Sequence, residues 1–154
     1  MRKALVSLIL LLANAFFSFS QNITLSDPDP KSGDYITSRN IYFDLGAITL
    51  RPESYNSLDS IVTFLNSHHS CKIEIGVHSD FRGDEEANKI LTLGRAGTIR
   101  KYLTDKGILP ERLTAVGYGE TQPLYSEKEI EASGSKCNGT TLRNSRIEFI
   151  ILEI

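Results

Sequence analysis

The apolar residues of this chain change their period repeatedly after residue 40, and that alternation limits the fold more than any single motif does. Lys72-Ile73-Glu74-Ile75-Gly76-Val77 alternates polar with apolar, the period of a half-buried strand. Before it, Pro52 suits the first turn of a helix in which Tyr55, Leu58, Val62 and Leu65 share a stripe widened by Ile61 and Phe64, ending near Ser67. After it, residues 88–106 return to helical spacing through Leu91, Ala96, Ile99 and Leu103, and Gly107 supplies a left-handed stop. Asn40-Ile41-Tyr42-Phe43-Asp44 reads as the first strand, residues 113–118 and 146–152 as later ones, and Tyr35-Ile36-Thr37 as an added edge strand. Residues 119–141 read as a long polar connection. The order strand–helix–strand–helix–strand, then a loop and a strand, predicts an α/β (α+β sandwich) fold: two layers, βαβαβ-β, with the helices packed on one mixed sheet. Right-handed crossovers make the first connections parallel.

Residues 1–20 stand outside this pattern. Arg2 and Lys3 precede an apolar run from Ala4 to Phe17, and Ser18-Phe19-Ser20 offers small residues for cleavage, the signature of a secretory signal peptide. That run is shorter than the ~20 residues a membrane span needs, and no transmembrane segment is expected in the mature chain. Residues 21–35, rich in Pro, Asp and Ser, read as a leader or linker, and residues 36–154 as one domain. A formal net charge of −2 with no basic block argues against a nucleic-acid partner. In an exported protein Cys71 and Cys137 are expected to form a disulfide, worth roughly 4 kcal/mol for so long a loop in the chain-entropy model. Two separate buried thiols are the alternative.

The chemistry concentrates at the end of the second full strand. Asp80 follows Val77-His78-Ser79, at the carboxyl end of a strand, where ligands commonly meet α/β sheets. Arg95 lies on the helix that follows, far enough along to fold back beside it. Two readings stand on these residues alone. Asp80 and Arg95 form either a receptor for a zwitterion, with Asp80 accepting from an ammonium and Arg95 gripping a carboxylate, or a structural ion pair.

Separated motifs run along the chain: Asn40-Ile41-Tyr42-Phe43-Asp44 with Ala47, Leu50 and Pro52-Glu53, then His78-Ser79-Asp80. They continue through Asn88, Leu91 and Arg95-Ala96, Gly117-Tyr118-Gly119-Glu120 with Pro123, and residues 144–149. In these motifs and their order over residues 36–152 the chain resembles the outer-membrane-protein-A-like (OmpA-like) C-terminal domain family. The resemblance implies non-covalent binding of peptidoglycan through the diaminopimelate of its stem peptide. It puts Asp80 on the ligand ammonium, Arg95 on the adjacent carboxylate and Asn88 in the pocket, with Leu91 packing the helix on the sheet. Arg82 reads either as a cation at the pocket mouth or as an exposed loop cation. The resemblance also implies pocket support from His78 and Ser79, and a periplasmic location in which an outer-membrane or envelope protein is the partner. Some positions depart from the family pattern. Val77 replaces a glycine and Ser79 a threonine. Ser145 stands where the first arginine of a doublet is usual, leaving Arg143 as a displaced substitute, and Gly46 replaces a polar residue at the rim. A second reading follows from those departures: an envelope assembly protein that keeps the fold and has lost or weakened the ligand.

Neither cofactor nor metal is expected. His68, His69 and His78 lack a completing acidic motif, and Asp84-Glu85-Glu86 suit the first turn of a helix. No nucleophile–base pair suggests an enzyme. The resemblance implies a bacterial host, in which the sequons at Asn22 and Asn138 carry no weight.

Overall fold

A computed structural model of the chain describes residues 22–132 and 143–154. Strand β1 is Tyr35–Ser38, β2 Lys72–His78, β3 Leu113–Gly119 and β4 Arg146–Glu153; helix α1 is Tyr55–Ser67, α2 Glu85–Asp105 and α3 Glu127–Ala132. The sheet order is β1-β4-β2-β3. β2 and β3 are parallel, as the crossover rule requires, while β4 enters antiparallel between β1 and β2. The mixed sheet and its helical layer match the fold expected from the alternating periods.

One face of the sheet carries the core. Ile73, Ile75 and Val77 of β2, with Ile147, Phe149 and Ile151 of β4, are buried against Leu58, Ile61, Phe64 and Leu65 of α1 and Ala96, Ile99 and Leu103 of α2. Each such side chain contributes about 1.5–3 kcal/mol on leaving water. Far from the strand ends that matter below, the buried Arg112 donates from Nε to Cys71 O (2.8 Å) and from Nη2 to Leu65 O and His68 O (both 2.8 Å). A cation there satisfies carbonyls at the end of α1.

The structure differs from the sequence reading at several points. Residues 40–44 form no strand; only Phe43 bridges to Leu50, and the edge place belongs to β1. The reason is local: Ser54 Oγ accepts from Tyr42 N (2.7 Å) and donates to Tyr42 O (3.0 Å), so the helix-entry turn satisfies the backbone a neighbouring strand would have used. The segment read as a leader is tied to the sheet. Ile23 is buried and donates its N–H to Tyr35 O (2.9 Å), and Gly33 and Asp34 exchange backbone bonds with Ile151 (both 2.8 Å).

Helix α2 begins three residues earlier than its apolar spacing suggests, because Asp84 caps it by accepting from Ala87 N (2.9 Å). Its buried stripe runs through Thr92, not Leu91, which is only half-buried. The cause lies across the interface: a Cβ on Gly117 of β3 would sit 2.1 Å from Leu93 N, so the helix backbone rests almost on the strand. Only glycine, with no Cβ, fits at such an approach. The polar connection contains α3, whose entry is a capping box: Ser126 N donates to Glu129 Oε2 (2.7 Å) and Glu129 N to Ser126 Oγ (3.3 Å). Cys71 is a fully buried free thiol, its pKa pushed up by burial. Cys137, and with it the expected bridge, lies outside the described residues, as do the signal peptide and Asn138.

Candidate functional site

The carboxyl ends of β2 and β3, the start of α2 and the start of β4 meet at one end of the sheet. Between Val77 and His78 the β2–β3 register slips by one residue, so that Val77 pairs with Gly117 but His78 with Gly119. Such an irregularity at a strand end re-aims the side chains around it. Ser79 N then donates to Gly119 O (2.8 Å), which fixes where the chain leaves the sheet. The next residue is Asp80.

Asp80 is 5% exposed. Its Oδ1 accepts from Arg82 N (3.0 Å), a local turn closed by the side chain. Its Oδ2 accepts from Arg82 Nε (2.9 Å) and Nη2 (2.7 Å), and from Ser145 Oγ at 3.4 Å. The two residues read as a facing pair, Asp80 and Arg95, are therefore not an ion pair; the carboxylate is held by Arg82.

Asn88 staples this loop. Its Nδ2 donates to Arg82 O (3.0 Å), to Glu120 Oε2 (2.9 Å) and, at 3.5 Å, to Asp80 O. One helical turn on, Thr92 Oγ1 donates to Asn88 O (2.8 Å) and accepts from Gly119 N (3.0 Å). These bonds lock the start of α2 to the end of β3. Leu91 and Ser79 sit alongside, half-buried, and Ser79 Oγ has no hydrogen-bond partner among the described residues.

Arg95 points the other way, toward the loop after Phe43. Its Nε donates to Ala47 O (3.0 Å) and its Nη2 to Asp44 O (3.4 Å), while the guanidinium lies 5.0 Å from the Phe43 ring centroid. Gly46, at φ +64°, makes the turn that presents those two carbonyls. Burial pulls the Arg95 pKa down from its ordinary value. A guanidinium nevertheless stays charged in proteins, and no carboxylate pairs with it among the described residues.

Arg95 lines an open cavity of about 480 Å³. Arg39, Arg51 and Arg146 line it too, with His78 and Ser145, and among the described residues no acidic one does. Ser145 joins the two halves of the site: it stands on the cavity wall and its hydroxyl reaches the Asp80 carboxylate behind it. Two of the arginines are already compensated, Arg51 by Glu53 (3.3 Å) and buried Arg146 by Glu148 (2.6 Å). His78 is buried and stacked on Tyr118 (4.7 Å between centroids, 10° between planes), with Nε2 3.2 Å from Glu148 Oε2. That contact is close enough for an ion pair but off the angle of a hydrogen bond, and Nδ1 has no partner among the described residues. Burial pushes the Glu148 pKa up, but the close His78 ring and the bond from Arg146 outweigh it and leave a net lowering. The cavity can therefore receive an anionic group, and the carboxylate beside it a cationic one.

Of the residues expected here, Asp80, Arg82, Asn88, Ser79 and His78 gather at the strand end, and Arg95 joins them across Ser145. Arg143 does not: it donates to Tyr125 Oη (3.1 Å) and is not on the cavity wall. Arg39 and Arg51 carry no signal in the sequence, because only the fold brings them to one cleft with Arg146, the arginine that remains of the doublet. Asn144 is fully buried, accepting from Leu124 N and Tyr125 N (both 3.0 Å). Among the described residues no cluster of three or more His, Cys, Asp or Glu could hold a metal, and no helix is long and apolar enough to cross a membrane.

A family model, described as the OmpA family, matches residues 42–136. The chain is 31% identical to outer membrane porin F of Pseudomonas fluorescens over 55% of its own length and 26% of the porin's. It is 32% identical to the peptidoglycan-associated lipoprotein of Buchnera aphidicola over 62% of its length and 56% of the lipoprotein's. The chain thus spans about a quarter of the one and just over half of the other. Among solved structures, a MotB-like protein of Desulfovibrio vulgaris shares the fold with a TM-score of 0.63 at 24% identity, over 81% of this chain and 78% of that one.

Proposed function

The chain belongs to the OmpA family, and from that premise we propose that it binds peptidoglycan non-covalently through the diaminopimelate of its stem peptide. The observation that carries this reading is a buried carboxylate and an arginine without a carboxylate partner, on either side of Ser145, at one basic cleft. Asp80 receives the ammonium of the diaminopimelate side chain. Arg95 receives the carboxylate on the same carbon, with its two-pronged fork turned from neutral carbonyls to a charged partner. Asn88 touches no ligand in this scheme; it holds the loop that aims Asp80. Capture is an equilibrium and needs no covalent step. A relative named for its association with peptidoglycan supports the same ligand. In this reading the protein works in the periplasm and ties an outer-membrane or envelope partner to the cell wall.

One observation favours the assembly reading instead: Asp80 already holds an internal guanidinium. Sedimentation with purified peptidoglycan separates the two. The wild-type protein is expected to pellet with the polymer, and Asp80→Asn and Arg95→Ala to stay in the supernatant with unchanged unfolding midpoints. Equal pelleting by all three proteins refutes the proposed site. Calorimetry with a diaminopimelate muropeptide against a lysine-type one then tests the second carboxylate, which lysine lacks.

A further inference from the structure

Resting on that reading, we propose that Arg82 is a built-in competitor for the ammonium at Asp80, so that the site is closed by its own chain until a ligand displaces it. The contact is asymmetric in a way that suits exchange. The Asp80 side chain is 6% exposed and that of Arg82 63%, with 2.7 Å between Oδ2 and Nη2. A guanidinium already mostly in water completes its hydration by swinging away. A buried carboxylate cannot rehydrate where it sits, so its vacated oxygen requires another cation.

The loop is built so that only the side chain need move. Asn88 Nδ2 holds the Arg82 carbonyl (3.0 Å), and the Arg82 N–H holds Asp80 Oδ1 (3.0 Å). With these bonds kept, Oδ1 stays anchored and Oδ2 alone changes partner, from Nε and Nη2 of Arg82 to an incoming ammonium.

The competitor also selects for chemistry. A simple amine replaces one charge-assisted contact with another and gains nothing further. An ammonium and a carboxylate on one carbon gain Arg95 as well, whose present partners are carbonyls. The group that opens the site is thus an amino-acid-like end, as at the side-chain terminus of diaminopimelate. Because only the open fraction binds, the apparent dissociation constant is the intrinsic one divided by that fraction.

The test is isothermal titration calorimetry with a disaccharide–tripeptide muropeptide carrying diaminopimelate. A second ligand is the same muropeptide acetylated on the side-chain amine, which cannot compete for Asp80. Arg82→Gln is expected to bind the first ligand about 5-fold more tightly than wild type, the equivalent of about 1 kcal/mol, and Arg82→Lys to fall between them. For the acetylated ligand, wild type and Arg82→Gln are expected to be equal. Equal or weaker binding of the unmodified muropeptide by Arg82→Gln, while wild type binds, overturns the competitor and leaves the proposed function standing. An equal gain for the acetylated ligand overturns it as well. If neither wild type nor Arg82→Gln binds the unmodified muropeptide, the peptidoglycan reading itself fails.

Discussion

Replacing Gly117 with alanine adds one methyl group and is expected to be among the most damaging small changes available to this fold. The new Cβ would lie 2.1 Å from Leu93 N, 2.5 Å from Leu93 Cα and 2.7 Å from Thr92 C. All three are backbone atoms of α2, so no rotamer change relieves the contact. Carbon contacts settle near 3.5–4.0 Å, so helix and strand must part by on the order of 1–2 Å. That movement strains the Gly119 N to Thr92 Oγ1 bond and loosens Ala96, Ile99 and Leu103 on the sheet. Overpacking costs about 1–3 kcal/mol and a strained hydrogen bond about 1 more, so a loss near 3 kcal/mol is expected.

Gly97→Ala is the matching control. Nothing lies within 4 Å of its added Cβ, and it sits at an exposed position inside α2. Alanine there is expected to stabilise by up to about 1 kcal/mol through helix propensity. Both substitutions restrict the unfolded chain equally, so the difference between them isolates the clash. Urea unfolding followed by circular dichroism reads it: the Gly117→Ala midpoint falls by on the order of 1–2 M and that of Gly97→Ala rises slightly. A loss below about 1 kcal/mol for Gly117→Ala would mean that α2 is not seated on β3 as described, and the positions of Asn88 and Arg95 would fall with it.

Two further outcomes follow. Thr92→Val keeps the shape but strips the buried Gly119 N–H of its acceptor, and a loss of about 1–3 kcal/mol in urea unfolding is expected; no loss would show that this bond is not made. The Tyr118 pKa is pushed up to about 12 by burial and then by its bond to Glu74 (2.5 Å). A raised folded pKa contributes stability that is whole below the unfolded value near 10 and lost as pH rises through about 12. Unfolding measured across that window is expected to weaken steeply in wild type and less in Tyr118→Phe, and identical slopes would contradict the assignment.

Periodicity was enough to find β2, β3, β4, α1 and α2, because each buries one face and repeats at its own spacing. It failed where backbone partners lie outside the element. Residues 40–44 have strand composition, yet the deciding group is the hydroxyl of Ser54. The phase of α2 failed for a related reason: Leu91 outranks Thr92 on any apolar scale, but a glycine on another element sets the clearance. α3 carried a legible signal in Ser126 and Glu129, hidden within a polar stretch. At the candidate site, Asp80 and Arg95 stand out through resemblance and not through spacing. The contact between Asp80 and Arg82, by contrast, is local: an aspartate two residues before an N–H it can accept from, in a turn.

The residues that place the site are polar, Thr92 and Asn144 buried and Asn88 half-buried, and that separates its fate from the stability of the core. Asn88 ties the loop at residues 80–82 to Glu120, Thr92 ties α2 to Gly119, and Asn144 ties residues 124–125 to the start of β4. Each side chain closes backbone or carboxylate groups of a segment distant in sequence, and each does so near the end of the sheet where Asp80 lies. The apolar side chains between α1 and the sheet make no directional bonds of their own and can repack around a lost methylene at modest cost. A truncation such as Ile61→Val therefore lowers stability while leaving Asp80 and Arg95 where they are. Loss of the Asn88 amide is expected to do the reverse: it releases the Arg82 carbonyl, frees the loop to reorient, and disperses the carboxylate and guanidinium that the proposed zwitterionic ligand would meet together.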